Sequence, residues 1–254
     1  MPSACKPSST AGSCQSPACQ ISSTPENRSA TWASSTGTRY RPWVSPSTPR
    51  TRIAAQLKRH QRECRACTRC VEDGVLAEAN PTFEGSPDAV FFLVGQAPGP
   101  VERDLRRPFM GRAGRELARW MARAGFASDA EFRRLTYMAA LIRCFPGRNA
   151  SNTGDRPPPR RAIANCAPWL ETELRLLQPR VLIAVGQLAS ARFLGPGRLE
   201  ERVGRSFGES PVVIPLPHPS GQNRWLNDPA NRERLDRALA LISELRERCL
   251  TPSS

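Results

Sequence analysis

Four short apolar segments, each followed by a helical pattern, restrict this chain to an α/β fold. Each segment is too short for a typical helix and rich in strand-forming residues, which is typical of strands buried on both faces. The four predicted strands are Ala89–Val94, Leu135–Arg143, Val181–Val185 and Val212–Leu216. Helices are predicted around residues 115–124, 160–177, 187–195 and 229–248. This alternation predicts a three-layer α/β/α sandwich with a central, mostly parallel four-stranded sheet.

The amino-terminal residues differ in composition from the rest. Residues 1–50 are rich in Ser, Thr and Pro, contain few apolar residues and show no periodicity. Such a segment cannot bury enough apolar surface to fold, so we expect a disordered tail there. A folded domain is predicted over residues 51–250, beginning with a polar, basic helix from Thr51 to Cys67.

The charge balance predicts a polyanionic partner. The chain carries 37 Lys and Arg against 23 Asp and Glu, a formal net charge of +14. Nucleic acid is favoured over a membrane, because the sequence contains no long apolar run. It also contains nine cysteines but no signal-peptide pattern, which argues against a secreted disulfide framework. We therefore expect a cytoplasmic protein that associates with nucleic acid. Separately, we expect it to act as a monomer.

The cysteine spacing predicts a metal or cluster site. Cys67 and Cys70 form a C-x2-C pair in a polar, Arg-rich segment, with Cys64 just upstream. Cys144 ends the second predicted strand, and Cys166 lies on the next predicted helix. Four thiolates from two separate segments suit either zinc or an iron–sulfur cluster, and the spacing does not distinguish them. The alternative is a set of buried free cysteines.

Two loops are predicted to meet at the carboxyl edge of the sheet. The first follows the strand that ends near Gly95 and carries Phe109, whose ring is able to stack on a nucleobase. The second carries His218 between Pro217 and Pro219, which restrict the backbone. The alternatives are a core position for Phe109 and a purely structural role for His218. The other histidine, His60, is predicted to be a solvated helix residue.

These segments together resemble the iron–sulfur uracil-DNA glycosylases, families four and five of their superfamily. The resemblance runs from about Cys67 to Ile242, and its most specific parts are GQAPGPVERDLRRPFMGRAG, RCFPGRN followed by Cys166, and HPS. It implies a [4Fe–4S] cluster rather than zinc. The ligands carried over are Cys67, Cys70, Cys144 and Cys166, which leaves Cys64 surplus.

The resemblance also implies a reaction. A nucleotide of DNA, single- or double-stranded, is flipped into a pocket, where Phe109 stacks on the base. Backbone N–H groups around Gly95 and Gln96 bind the pyrimidine O2, and His218 donates a hydrogen bond to the departing base. Water then attacks the sugar, which leaves an abasic site. A non-catalytic iron–sulfur module that binds nucleic acid is the alternative function.

Two residues depart from the pattern of efficient family members. Ala97 stands where those members carry an Asp, and Ala140 stands where an Asn reads the uracil edge. The resemblance leaves Glu102 as the matched acidic candidate for catalysis. It therefore implies a slower enzyme that also accepts other deaminated bases, such as hypoxanthine.

A group of arginines is predicted to lie on the rim of the site and contact phosphates. They are Arg112, Arg115, Arg143, Arg148 and Arg224.

Overall fold

A computed structural model describes residues 50–220 and 224–250 of the chain, and a parallel four-stranded sheet forms its centre. The strands are β1 Phe91–Gly95, β2 Thr136–Ala140, β3 Val181–Val185 and β4 Val212–Leu216. Their spatial order is β2-β1-β3-β4, and every neighbouring pair is parallel. Strand β2 lies on one side of β1, and the chain then crosses over so that β3 lies on the other side of β1. The loops after β1 and β3 therefore diverge and leave a crevice at their carboxyl ends, where α/β proteins bind ligands.

Helices cover both faces of this sheet. They are α1 Arg50–Arg65, α2 Arg69–Glu72, α3 Pro100–Leu105, α4 Arg112–Arg123, α5 Asp129–Leu135, α6 Arg160–Leu177, α7 Gln187–Leu194, α8 Leu199–Arg202 and α9 Pro229–Leu250, with a short 3₁₀ turn at Arg224–Asn227. Alternate strand residues supply the two cores, because successive side chains of a strand point to opposite faces. Phe91 and Leu93 pack with α4, α5 and α9. Phe92 and Val94 pack with α1, α6 and α7. The predicted three-layer α/β/α fold is confirmed.

The second predicted strand was wrong at both ends. Leu135 closes helix α5, and regular pairing stops at Ala140, so Leu141–Arg143 is not strand. The apolar run continues because these residues stay buried beside the cysteines. Hydrogen bonds also continue, since the N–H of Leu141 donates to the carbonyl of Gly95 at 3.0 Å.

A buried ion pair joins α6 to the end of this segment. Glu173 is fully buried and accepts hydrogen bonds from the hydroxyl of Tyr137, at 2.9 Å, and from Nη2 of Arg143. Nε2 of His60 lies 3.8 Å from the same carboxylate, and the His60 ring packs 5.2 Å from Trp169. Two predictions were therefore wrong: Arg143 is a core residue rather than a rim residue, and His60 is buried rather than solvated.

The predicted tail lies outside the described residues, apart from Arg50, which begins α1. The division into a disordered tail and one domain stays a prediction. Among the helices described here, none is long and apolar enough to cross a membrane.

We predict that Gly114→Ala destabilises the fold. A Cβ at Gly114 would lie 1.7 Å from the carbonyl oxygen of Phe109, so α4 and the loop have to move apart. Overpacking of this kind typically costs about 1–3 kcal/mol. Urea denaturation measures the change in the free energy of unfolding. Arg115→Ala, on the exposed side of the same helix, is the matched control and should stay within about 0.5 kcal/mol of the parent. Equal stability of the two variants would contradict the close contact.

Candidate active site

The first loop places the Phe109 ring at the carboxyl end of β1. A Cβ built on Gly95 would lie 3.1 Å from Cζ of Phe109, so the ring lies against the bare backbone of that glycine. On the other side, Gly95 pairs with Ala140, the last residue of β2. Gly95, Ala140 and Phe109 are therefore neighbours at one edge of the sheet.

The backbone of Phe109 is held in an uncommon conformation. Its φ is +55°, in the left-handed region that a bulky residue rarely adopts. Arg133 of α5 donates to the carbonyls of Pro108 at 3.2 Å and Phe109 at 3.1 Å. Glu102 accepts from the N–H groups of Met110 at 2.9 Å and Gly111 at 2.7 Å. These bonds on both sides fix the direction of the ring, and strain maintained in this way is typical of functional sites.

Both carboxylate oxygens of Glu102 accept hydrogen bonds from backbone N–H groups of the loop. Oε1 takes the two N–H groups beyond Phe109, and Oε2 accepts from the N–H of Gly99 at 3.2 Å. Glu102 is the third residue of α3, which begins at Pro100, so its bond to Gly99 caps that helix. The sequence G-P-V-E carried this signal, although α3 was not predicted. The geometry gives Glu102 a clear role in bracing the loop.

His218 lies beside the end of the neighbouring strand. A Cβ built on Gly186, the residue after β3, would lie 3.7 Å from Cβ and 3.8 Å from Cδ2 of His218. Strands β1 and β3 are adjacent and parallel, with Val94 opposite Ala184. The Phe109 ring on Gly95 and the imidazole on Gly186 therefore lie at the carboxyl ends of adjacent strands.

Asp155 is a further acidic group at this edge, and the sequence analysis missed it. Its Oδ2 would lie 3.5 Å from a Cβ on Gly99, and its Oδ1 lies 3.4 Å from Nη1 of Arg148. Burial lowers the pKa of His218, while the negative charges of Asp155 and Glu102 partly raise it. Burial also raises the pKa of Asp155, against the effect of Arg148. These mutual effects bring Asp155, Glu102 and His218 into one electrostatic group.

The remaining predicted positions connect this edge to the cysteines. The carbonyl of Gln96 accepts from the N–H of Ile142 at 3.4 Å, one step beyond the strand pairing. Ala97 packs against the apolar group that contains Cys70, Cys144 and Cys166. The backbone that carries Gln96 and Ala97 is therefore shared by the candidate site and the cysteine region.

Five cysteines line one cavity. They are Cys64, Cys67, Cys70, Cys144 and Cys166, from α1, the turn between α1 and α2, α2, the segment after β2, and α6. Two N–H groups already point at their sulfur atoms. The backbone of Asn80 donates to Sγ of Cys144 at 3.4 Å, and Nδ2 of Asn165 donates to Sγ of Cys70 at 3.6 Å.

The cavity suits a sulfur-ligated cluster chemically. Nε and Nη1 of Arg143, which also lines it, are buried without a hydrogen-bond partner in the described part of the chain. Buried donors of this kind favour a negatively charged acceptor. Within residues 50–220 and 224–250, no three His, Cys, Asp or Glu side chains are grouped to hold a metal ion. The thiols surround a cavity and do not converge on one point.

Trp225 packs partly against the core, and its indole N–H donates to Glu200 at 3.0 Å. Four of the predicted rim arginines, unlike Arg143, are exposed: Arg112, Arg115, Arg148 and Arg224.

The fold and site define an α/β protein with a candidate ligand site at the switch point of a parallel sheet. The family model of the uracil DNA glycosylase superfamily matches residues 82–242, and the chain belongs to that superfamily. This span contains all four strands and both loops.

Three similar proteins carry the name type-4 uracil-DNA glycosylase. The protein from Pyrobaculum aerophilum is 32% identical over 145 residues, covering 56% of this chain and 67% of the relative. That from Sulfurisphaera tokodaii is 26% identical over 200 residues, covering 74% and 84%. The Archaeoglobus fulgidus protein is 26% identical over 194 residues, covering 72% and 90%.

We predict that His218 titrates below the ordinary histidine pKa of 6.5, because burial disfavours its charged form. Asp155→Asn should lower that pKa further, since it removes a negative charge that favours the imidazolium. The same direction is expected for Glu102→Gln. Nuclear magnetic resonance titration of the ring measures the pKa, and a His60→Gln variant assigns the signal, because the chain has only two histidines. A rise in the pKa of His218 in Asp155→Asn would contradict this arrangement.

Proposed function

We propose that this chain is a monofunctional DNA glycosylase that flips uracil out of DNA and hydrolyses its N-glycosidic bond. One observation carries the proposal: an aromatic ring and an imidazole lie at the carboxyl ends of adjacent strands, each against a glycine. Membership of the superfamily and the names of the relatives support uracil as the substrate. The product is an abasic site for base-excision repair.

In this proposal, Phe109 stacks on the flipped base, and N–H groups near Gly95 and Gln96 bind its O2. His218 donates a hydrogen bond to the negative charge that develops on the departing base. A lowered pKa keeps the imidazole neutral near pH 7, and a neutral imidazole retains one N–H donor. Loss of a preorganised donor of this type typically costs about 10²–10³ in rate.

The attacking water needs a partner other than Ala97, whose methyl group cannot accept a proton. Glu102 was the predicted acidic candidate, but both of its oxygens already accept backbone N–H groups. We assign Glu102 to positioning of the Phe109 loop. We assign activation of the attacking water, by accepting its proton, to Asp155. The raised pKa of Asp155 suits this role, because a general base works best when its pKa approaches the working pH.

The predicted breadth of substrate rests on Ala140. Ala140 lies directly beside Gly95 and offers a methyl group where an amide would select the uracil edge. A wall without hydrogen-bonding groups discriminates weakly between bases of similar shape. We therefore propose that hypoxanthine and other deaminated bases are also excised.

We propose a [4Fe–4S] cluster on Cys67, Cys70, Cys144 and Cys166. The shared cavity, the N–H groups directed at two of the sulfurs and the orphaned donors of Arg143 support a cluster at this place. A fully cysteine-ligated cluster supplies cross-links between segments rather than hydrolytic chemistry. It would tie the α1–α2 region to α6 and to the segment after β2.

The surface charge supports DNA as the partner. The net charge is +14, and the exposed arginines near the site are Arg112, Arg115, Arg148 and Arg224. Phosphate contacts of this kind make DNA affinity fall steeply with salt. Action as a monomer on DNA in the cytoplasm stays part of the proposal.

We predict that the protein cleaves oligonucleotides at uracil after alkali treatment, and that His218→Ala lowers the single-turnover rate by about 10²–10³. DNA affinity should change little, because the lost hydrogen bond forms mainly in the transition state. A panel with uracil, hypoxanthine or xanthine tests the substrate range on one preparation. His60→Ala, which alters the buried histidine packed against Trp169, is the control. Binding without scission on every base would favour the non-catalytic binding module instead.

Asp155→Asn and Glu102→Gln should separate two roles. Asp155→Asn is expected to lower the rate by about 10²–10⁴ with little change in stability, because it removes a general base from a partly exposed position. Glu102→Gln should reduce the free energy of unfolding as well, since three backbone N–H groups lose a charged acceptor. Single-turnover kinetics and urea denaturation give the two readouts. An unchanged rate in Asp155→Asn would show that Asp155 does not activate the attacking water.

A further inference from the structure

Arg143 is a buried cation with most of its donors unused. Its side chain is 2% exposed, and Nη2 is paired with Glu173. Its Nε and Nη1 are buried and have no hydrogen-bond partner among the described residues. The guanidinium cannot lose its proton in a protein, so it cannot relieve this cost by becoming neutral.

The residue that carries these unused donors also lines the cysteine cavity. Arg143 lines that cavity together with Cys64, Cys144 and Cys166. Glu173, which is paired with Nη2, is fully buried and also accepts from Tyr137. One carboxylate thus fixes one end of the guanidinium, while Nε and Nη1 have no acceptor among the described residues.

We propose that Arg143 donates hydrogen bonds from Nε and Nη1 to sulfur atoms of the cluster, and that the Arg143–Glu173 pair sets its reduction potential. This inference rests on the cluster assigned under the proposed function. Cluster sulfurs and cysteine thiolates are acceptors, and they would satisfy the donors that are otherwise orphaned.

The two charges of the Arg143–Glu173 pair should shift the reduction potential in opposite directions. Reduction adds an electron to the cluster, so a nearby positive charge stabilises the reduced form and raises the potential. The negative charge of Glu173, which is paired with the guanidinium, offsets part of that effect. Removing the cation should therefore lower the potential, and removing the anion should raise it.

The experiment compares the full-length parent with Arg143→Met, Arg143→Lys and Glu173→Gln. Midpoint potentials come from voltammetry of the adsorbed protein, and iron content and absorbance near roughly 400 nm report whether the cluster is present. We expect a lower potential in Arg143→Met and a higher one in Glu173→Gln. Arg143→Lys should lie between Arg143→Met and the parent, because it keeps the charge but loses the forked donor geometry.

Arg143→Met leaves Glu173 buried without a cation, which threatens folding. The double variant Arg143→Met/Glu173→Gln removes both charges and keeps the site neutral. Its potential should lie below that of Glu173→Gln alone. This comparison measures the contribution of Arg143 without an unpaired carboxylate.

The outcomes separate the two proposals. Potentials that shift in the same direction in Arg143→Met and Glu173→Gln, or that match the parent, overturn the role of Arg143 while leaving the cluster in place. A parent protein that contains zinc or no metal overturns both the cluster and this inference. Uracil excision is assayed in parallel, and its absence from an iron-loaded parent counts against the glycosylase proposal alone.

Discussion

The candidate site depends on the hydrogen bonds that Glu102 and Arg133 make to the loop after β1. One carboxylate collects three backbone N–H groups, and one guanidinium holds the two carbonyls before Met110. An acceptor and a donor therefore oppose each other across Phe109 and maintain its positive φ. Without these bonds, a loop this rich in turn-forming residues would adopt several conformations and would not hold the Phe109 ring in one direction. These polar contacts fix the backbone around Phe109, while its ring packs against the apolar core.

Apolar runs predicted the sheet well because strands buried on both faces leave a continuous hydrophobic signal. The third and fourth strands were predicted to the residue, whereas the second was placed too broadly. Leu141 and Ile142 remain buried after pairing ends, so hydrophobicity alone did not mark the boundary. Helix α5 was missed although the Ser128 hydroxyl caps it by accepting from the N–H of Glu131, because the helix runs into β2 without a loop.

Parallel topology predicted that the loops after β1 and β4 lie at one edge of the sheet, but it did not predict which residues of longer loops reach that edge. Phe109 and His218 lie at the edge that parallel topology requires, although their roles stay predictions. Asp155 reaches the same edge through a loop with no periodicity, and no sequence pattern specified its position. Arg143 was misplaced because a charge beside a cysteine motif resembles a surface residue, whereas its burial depends on Glu173 from another helix.

Gly95 lies against the Phe109 ring and Gly186 against the His218 imidazole, and these two glycines limit how the candidate site can evolve. Gly95 and Gly186 already present bare backbone, so any mutation there adds atoms and narrows the space. The adjacent side chain, Ala140, is nearly minimal as well. Under the proposed function, substitutions at these positions offer no further room for a larger base. They can only restrict the bases accepted, so any widening has to come from movement of the surrounding loops.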